Sequence, residues 1–144
     1  MDAPTRRLRL LLRIWLVVFG LGALDFLVFP TLTVRILNAA GKPFQLAPLE
    51  AGYQFWSVLA VAYMVLIAAF CLEATRERDR VAPPPVRFLL LAKATSSLVS
   101  LVFFILAVHA FAFLANFVVD GGIALITYWF YRQAVGPIQL RGPA

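Results

Sequence analysis

The sequence predicts an all-α integral membrane protein, a four-transmembrane-helix bundle with both termini on the inner side (N-in/C-in). Three observations carry that expectation. The 144-residue chain is 62% hydrophobic and only 14% charged, with a mean hydropathy of +0.88, whereas a soluble domain is typically about 45–50% apolar. Its apolar residues fall in long blocks rather than in short amphipathic periods, which points to lipid rather than to a large core. Its Arg residues, which dominate a net charge of +6 and a pI near 10.3, flank those blocks and leave no basic face over. That is topogenic charge, and nucleic acid is not an expected partner.

The first block, Leu8–Phe29 (LRLLLRIWLVVFGLGALDFLVF), is closed by Pro30. Arg6 and Arg7 precede it and Arg9 and Arg13 lie in its first turns. A positive start before an apolar run resembles a signal peptide, but the run is long and no A-x-A pattern follows. A retained signal-anchor helix is expected. The connection 30–52 contains TLTVRILNAAG, in which Leu32, Ile36, Leu37 and Ala40 fall near one helical face. This fits a short interfacial helix after the first span, ending at Gly41, or an ordinary loop with a few apolar anchors.

The second block, about Tyr53–Leu72, carries no charge. A charged and Pro-rich connection, Glu73–Arg87, follows, and Pro83, Pro84 and Pro85 are expected to close that loop and stiffen it. The rest, Phe88–Tyr131, is one apolar run of 44 residues. As a single helix it would measure about 66 Å, twice a bilayer core of roughly 30 Å. It must fold back, with a turn expected within His109–Asn116. The chain thus reads as one transmembrane domain over 1–144, with spans at about 8–29, 53–72, 88–108 and 113–131. No internal repeat is evident.

Orientation follows from Lys and Arg. Arg6, Arg7, Arg9, Arg13, Arg76, Arg78, Arg80, Arg87, Arg132 and Arg141 fall on one side and only Arg35 and Lys42 on the other, while Lys93 lies within a span. Ten against two places the termini and the 73–87 loop in the cytoplasm. Tyr53, Phe55 and Trp56 then mark the outer boundary, and Trp15 and Tyr128–Tyr131 the inner one.

Three ionisable residues fall inside the spans: Asp25, Lys93 and Asp120. Each costs on the order of 2.5–3.5 kcal/mol at the centre of a bilayer and usually faces a partner or a cavity. Asp120 lies eleven residues before Tyr131, about 16 Å from the inner boundary by helix rise. Ser100 and Tyr63 come out at about 18 and 14 Å on the same scale. Asp120 held by the hydroxyls of Ser100 and Tyr63 is the sharpest structural expectation, the acid being neutral unless a cation reaches it. Lys93, about 8 Å from the inner boundary, is expected to snorkel to the headgroups rather than pair with Asp120. Asp25 is a secondary candidate, expected to reach the outer interface or Arg35.

Ala92, Ser96 and Ser100 recur at i, i+4 and i+8, with Ser97 beside them. Such small residues let helices approach closely. Gly20, Gly22, Gly121 and Gly122 read the same way; the alternative for Asp120-Gly121-Gly122 is a helix loosened at an ion site, as in the broken helices of transporters.

Cys71 is the only cysteine and His109 the only histidine, so an intrachain disulfide and a bis-histidine haem site are excluded. No metal site and no cofactor is expected. There is no Walker-type phosphate loop, no G-x-S-x-G elbow and no H-E-x-x-H. Ser96 or Ser97 beside Lys93 lacks the oxyanion site that a Ser–Lys nucleophile requires. The size and four-span layout resemble small multidrug-resistance transporters, which carry a membrane-embedded acid well inside the first span. Asp25 lies near the outer end of its span, and the chain is not assigned to that family.

Three functions remain. The first is a non-enzymatic accessory or assembly subunit, or a homo-oligomeric component, partnered by lipid and by other membrane subunits or itself. The second is a small proton- or cation-coupled transporter using Asp120. The third is a lipid-binding or lipid-modifying protein using Asp120 and Tyr63. A bacterial plasma (inner) membrane is the expected location.

Overall fold

Five α-helices and one 3-10 turn form the computed structural model, which describes residues 2–48, 54–77 and 80–135, the side chains of 30 and 54–57 excepted. α1 (Ala3–Val28) starts earlier than the first apolar block because Asp2 caps it, accepting from the Thr5 amide at 3.1 Å, with Pro4 in the first turn. Phe29 interrupts the helix and Pro30 opens α2 (Pro30–Gly41), which realises the helical alternative for this segment. A single 3-10 turn, Lys42–Phe44, ends at Gln45 in the left-handed region (φ 55°). α3 runs Gln54–Ala74, α4 Pro83–Leu106 and α5 Phe111–Val135.

α1, α4 and α5 are each long and apolar enough to cross a membrane, and α3 adds a shorter apolar stretch, Val58–Ala74. No strand occurs among the described residues. The fold is therefore that of a helical, membrane-embedded protein.

Two helix hairpins make up the bundle. α4 with α5 and α1 with α3 are the most extensive pairings, and α1–α5 and α3–α4 contacts close the ring. Each helix turns a narrow seam inward at three- and four-residue spacing. The seams are Leu8, Leu12, Phe19 and Ala23 on α1; Ile67, Cys71 and Ala74 on α3; Val86, Leu89, Lys93, Ser97 and Ser100 on α4; and Asp120, Ile123, Thr127 and Tyr131 on α5. Large apolar side chains such as Leu10, Leu21, Leu91 and Leu125 point outward, more than half exposed.

The two ends differ. At the loop end, the Arg9 guanidinium donates to the carbonyls of Glu77 and Arg80 and so ties α1 to the α3–α4 loop. At the turn end, the Ala47 amide donates to the His109 carbonyl (3.1 Å), and Phe44 stacks on Phe111.

Two boundaries differ from the sequence reading. The turn between α4 and α5 is 107–110, so α5 starts at Phe111 and most of the expected His109–Asn116 turn is helical. No Gly or Pro marks it. The Ala47 amide, which donates to the His109 carbonyl, and Gly41, which fits closely against Phe111, fix its place, and both come from a distant segment. Pro83, Pro84 and Pro85 form the first turn of α4 instead of closing the loop. First-turn amides have no intrahelical acceptor, so their loss costs nothing there. Of the expected interfacial aromatics and cations, Tyr53, Arg78 and Arg141 lie outside the described residues, as do the side chains of Phe55 and Trp56. Tyr128 and Trp129 face outward, whereas Trp15 donates inward to Thr127 and Tyr131 is buried.

Candidate functional site: a buried Lys–Asp pair

The centre of the bundle is built by α4 and α5. Ser97 donates across the contact to the Phe117 carbonyl at 2.8 Å. A Cβ on Gly121 would lie 2.9 Å from the Ser97 hydroxyl. Glycine at 121 is what allows this approach, and hydroxyl bonds of this kind average about 0.6 kcal/mol in bilayers. The same register puts residue 93 about one turn toward the loop end from Asp120, a distance the Lys stem covers.

Lys93 reaches across it. Its Nζ donates to Asp120 Oδ1 at 2.8 Å, and the two residues are 2% and 4% exposed. The ammonium also sits over the Phe19 ring (4.2 Å to centroid) and the Tyr63 ring (4.7 Å). Those rings come from α1 and α3, so one cation contacts all three other helices of the ring. Its charge meets a carboxylate on one side and two π faces on the others. Lys93 does not snorkel. It occupies the inward seam of α4, seven residues from Val86 and from Ser100, and a stem leaving that position points into the bundle.

The hydroxyl cradle expected around Asp120 is organised differently. Ser100 accepts from Asn116 Nδ2 at 2.7 Å, and the same amide donates to Ser96 at 3.1 Å. Tyr63 lies beside the pair through its ring, with its hydroxyl near Ser96 and within the field of Asp120. Neither Asp120 Oδ2 nor the Tyr63 hydroxyl, both buried, closes a hydrogen bond of good geometry with any described residue. Asp25 stands apart near the far end of α1, where it accepts from the Thr33 hydroxyl at 2.6 Å and braces the α1–α2 corner.

Asp120, Ser100 and Tyr63 are the expected site with Lys93 at the headgroups; in the structure Lys93 itself joins Asp120 to the Tyr63 ring, and Ser100 bonds Asn116 instead. Phe19 and Asn116 were not anticipated. Phe19 carries no polar signal, but Asn116 is a polar residue in an apolar run, four before Asp120 and thus on the same helix face. Among the described residues no group of three His, Cys, Asp or Glu is placed to hold a metal ion. Comparison with protein-family models, with curated proteins and with solved structures returns no match, so the reading of this site rests on its own geometry.

Proposed function

We propose that the chain crosses a bacterial plasma membrane four times, through α1, α3, α4 and α5, with both termini and the α3–α4 loop in the cytoplasm. Within that membrane it serves as a non-enzymatic component, an accessory or assembly subunit or a homo-oligomer. The Lys93–Asp120 pair is its internal clamp. The ten-to-two distribution of Lys and Arg supports the orientation, and a wide lipid-facing surface is available for lipid and for membrane partners.

The single observation behind the functional reading is that Asp120 already has its cation within the chain. A carboxylate at membrane depth that is to take a cation from solution must give up the one it holds, and Oδ1 is held by Lys93 at 2.8 Å. Breaking such a buried pair leaves an uncompensated charge, so the pair resists exchange with external ions. Extraction in mild detergent followed by mass determination tests the proposal. Recovery as a defined homo-oligomer or with a stoichiometric membrane partner is expected, and a solitary monomer that catalyses solute flux in vesicles overturns it.

A second reading, a proton- or cation-coupled transporter, draws on one observation: Asp120 Oδ2 is buried and has no partner among the described residues. It requires a pH-dependent flux that Asp120→Asn abolishes in protein shown to be folded.

A further inference from the structure

The polar groups inside the bundle are arranged unequally about Lys93. Toward the turn end they are contiguous: Asp120 with its open Oδ2, the Tyr63 hydroxyl, Ser96, Asn116 and Ser100. Asn116 is exposed and ends that series at the surface. Toward the loop end come Ile67, Leu89 and Leu12, each fully buried, then Leu8, Cys71 and Val86, at most 1% exposed. The polar groups on that side are paired off separately. Trp15 donates to Thr127 at 3.1 Å, Thr75 to the Cys71 carbonyl at 2.9 Å and Arg87 to Tyr131 at 3.2 Å.

We infer that the Lys93–Asp120 centre is a water-binding site that exchanges protons with the turn-end face alone. Asp120 has one carboxyl oxygen filled by Lys93. Leaving the second oxygen bare in a low-dielectric interior is costly, and a bound water removes that cost. The partners such a water needs are present: Oδ2 as acceptor, the Tyr63 hydroxyl as donor or acceptor, and Ser96 beyond it. Buried waters make about two to four hydrogen bonds, and Oδ2 and the Tyr63 hydroxyl are the two buried groups at the centre without a partner of good geometry among the described residues.

Exchange with bulk then follows the polar lining of that side, where the Asn116 amide orients the Ser96 and Ser100 hydroxyls and water bound along them, not the amide, carries the proton. The opposite route passes tightly buried aliphatic side chains, and the buried Thr127 hydroxyl on the way is already bonded by Trp15. The charged and titratable groups facing the centre are Lys93 from α4, Asp120 from α5, and Tyr63 and Cys71 from α3. α1 contributes the Phe19 ring.

Water-edited solid-state NMR on the full chain in lipid bilayers tests the inference. Magnetisation starting on water protons should reach the Asp120 carboxyl carbon and the Lys93 Nζ about as fast as it reaches the Asn116 side chain. It should reach the Leu89 and Ile67 methyls several-fold more slowly. The double variant Ser96→Ala, Asn116→Leu should slow transfer to Asp120 several-fold, with the Lys93–Asp120 proximity peak showing that the bundle is intact. Build-up at Asp120 no faster than at Leu89 overturns the inference.

Native Cys71 provides a second measurement without any substitution at the centre. A charged, water-soluble methanethiosulfonate reagent should leave Cys71 unmodified from either face. In a Cys71→Ala background it should modify Ser96→Cys from the turn-end face only. Modification of Cys71 in folded protein, or of Ser96→Cys equally from both faces, overturns the one-sidedness.

Discussion

The turn-end and loop-end halves of the bundle use the same four helices and the same inward seams, yet they are held together in different ways. The turn-end half is joined by polar contacts between α4 and α5: Ser97 to the Phe117 carbonyl, Asn116 to Ser96 and Ser100, and Lys93 to Asp120. The loop-end half is packed on Leu8, Leu12, Ile67, Val86 and Leu89, all fully buried, with Trp15–Thr127 and Arg87–Tyr131 as isolated polar links. In water the second half would be the stronger, because aliphatic burial is driven by the solvent. In lipid that drive between helices is absent and dispersion and hydrogen bonding remain. The comparison teaches that side chains of ordinary core type contribute shape there, while the polar residues decide which helix meets which.

The largest test of that difference is charge removal. Lys93→Met or Asp120→Leu alone should destabilise the bundle by about 3–5 kcal/mol, since each leaves the other charge buried and unpaired. The double variant should recover most of the loss. Denaturant titration in micelles measures all three, and single variants no worse than an aliphatic truncation break the comparison. That truncation is the next effect in size. Leu89→Ala should cost about 2 kcal/mol, the low end of the soluble range, because the cavity term persists while the transfer term is reduced in lipid.

Glycines give a finer test. Gly121→Ala should cost about 1–2 kcal/mol by pushing on a Ser97 hydroxyl 2.9 Å away, and Ser97→Ala in the same chain should relieve part of it. Gly122→Ala, whose added Cβ meets nothing within 4 Å, should be neutral or slightly stabilising. Equal effects at 121 and 122 would remove the close approach from the account.

The smallest effect lies at the exposed start of α1. Hydrogen bonds from Thr5, the side chain first and the amide second, hold the Asp2 carboxyl below its ordinary value of 3.8. A depressed folded value means the cap contributes fully above pH 3.8, weakens below it and is lost once pH falls through the folded value. The Thr5 amide shift should therefore titrate with a midpoint under 3.8. A midpoint at or above 3.8 sinks the cap.

Much of the fold was legible because hydropathy blocks and helix length are local properties. The 44-residue run had to fold back, and Gly41 closed α2 where its sequence indicated. What was not legible depended on distant partners. The turn at 107–110 is positioned by residues 41–47, and the order of helices around the ring has no marker in any one block. The site was half legible. Counting helix rise brought Asp120 and Tyr63 near one level, but rise alone is blind to azimuth. Lys93 was assigned to the headgroups although Val86, Leu89, Lys93, Ser97 and Ser100 share one seam, and that spacing held the information.

The aromatic contacts of Lys93 carry a consequence for the order in which the protein is made. Phe19 and Tyr63 belong to α1 and α3, and both are synthesised before the lysine they receive. By the time α4 leaves the ribosome, two rings stand ready for its ammonium, while the carboxylate that completes the neutralisation arrives 27 residues later. The newborn charge is thus never without a favourable surface. The same order makes each hairpin a separable unit: an amino-terminal piece ending in the α3–α4 loop should wait in the membrane and capture its carboxy-terminal half when that half is supplied as a second chain.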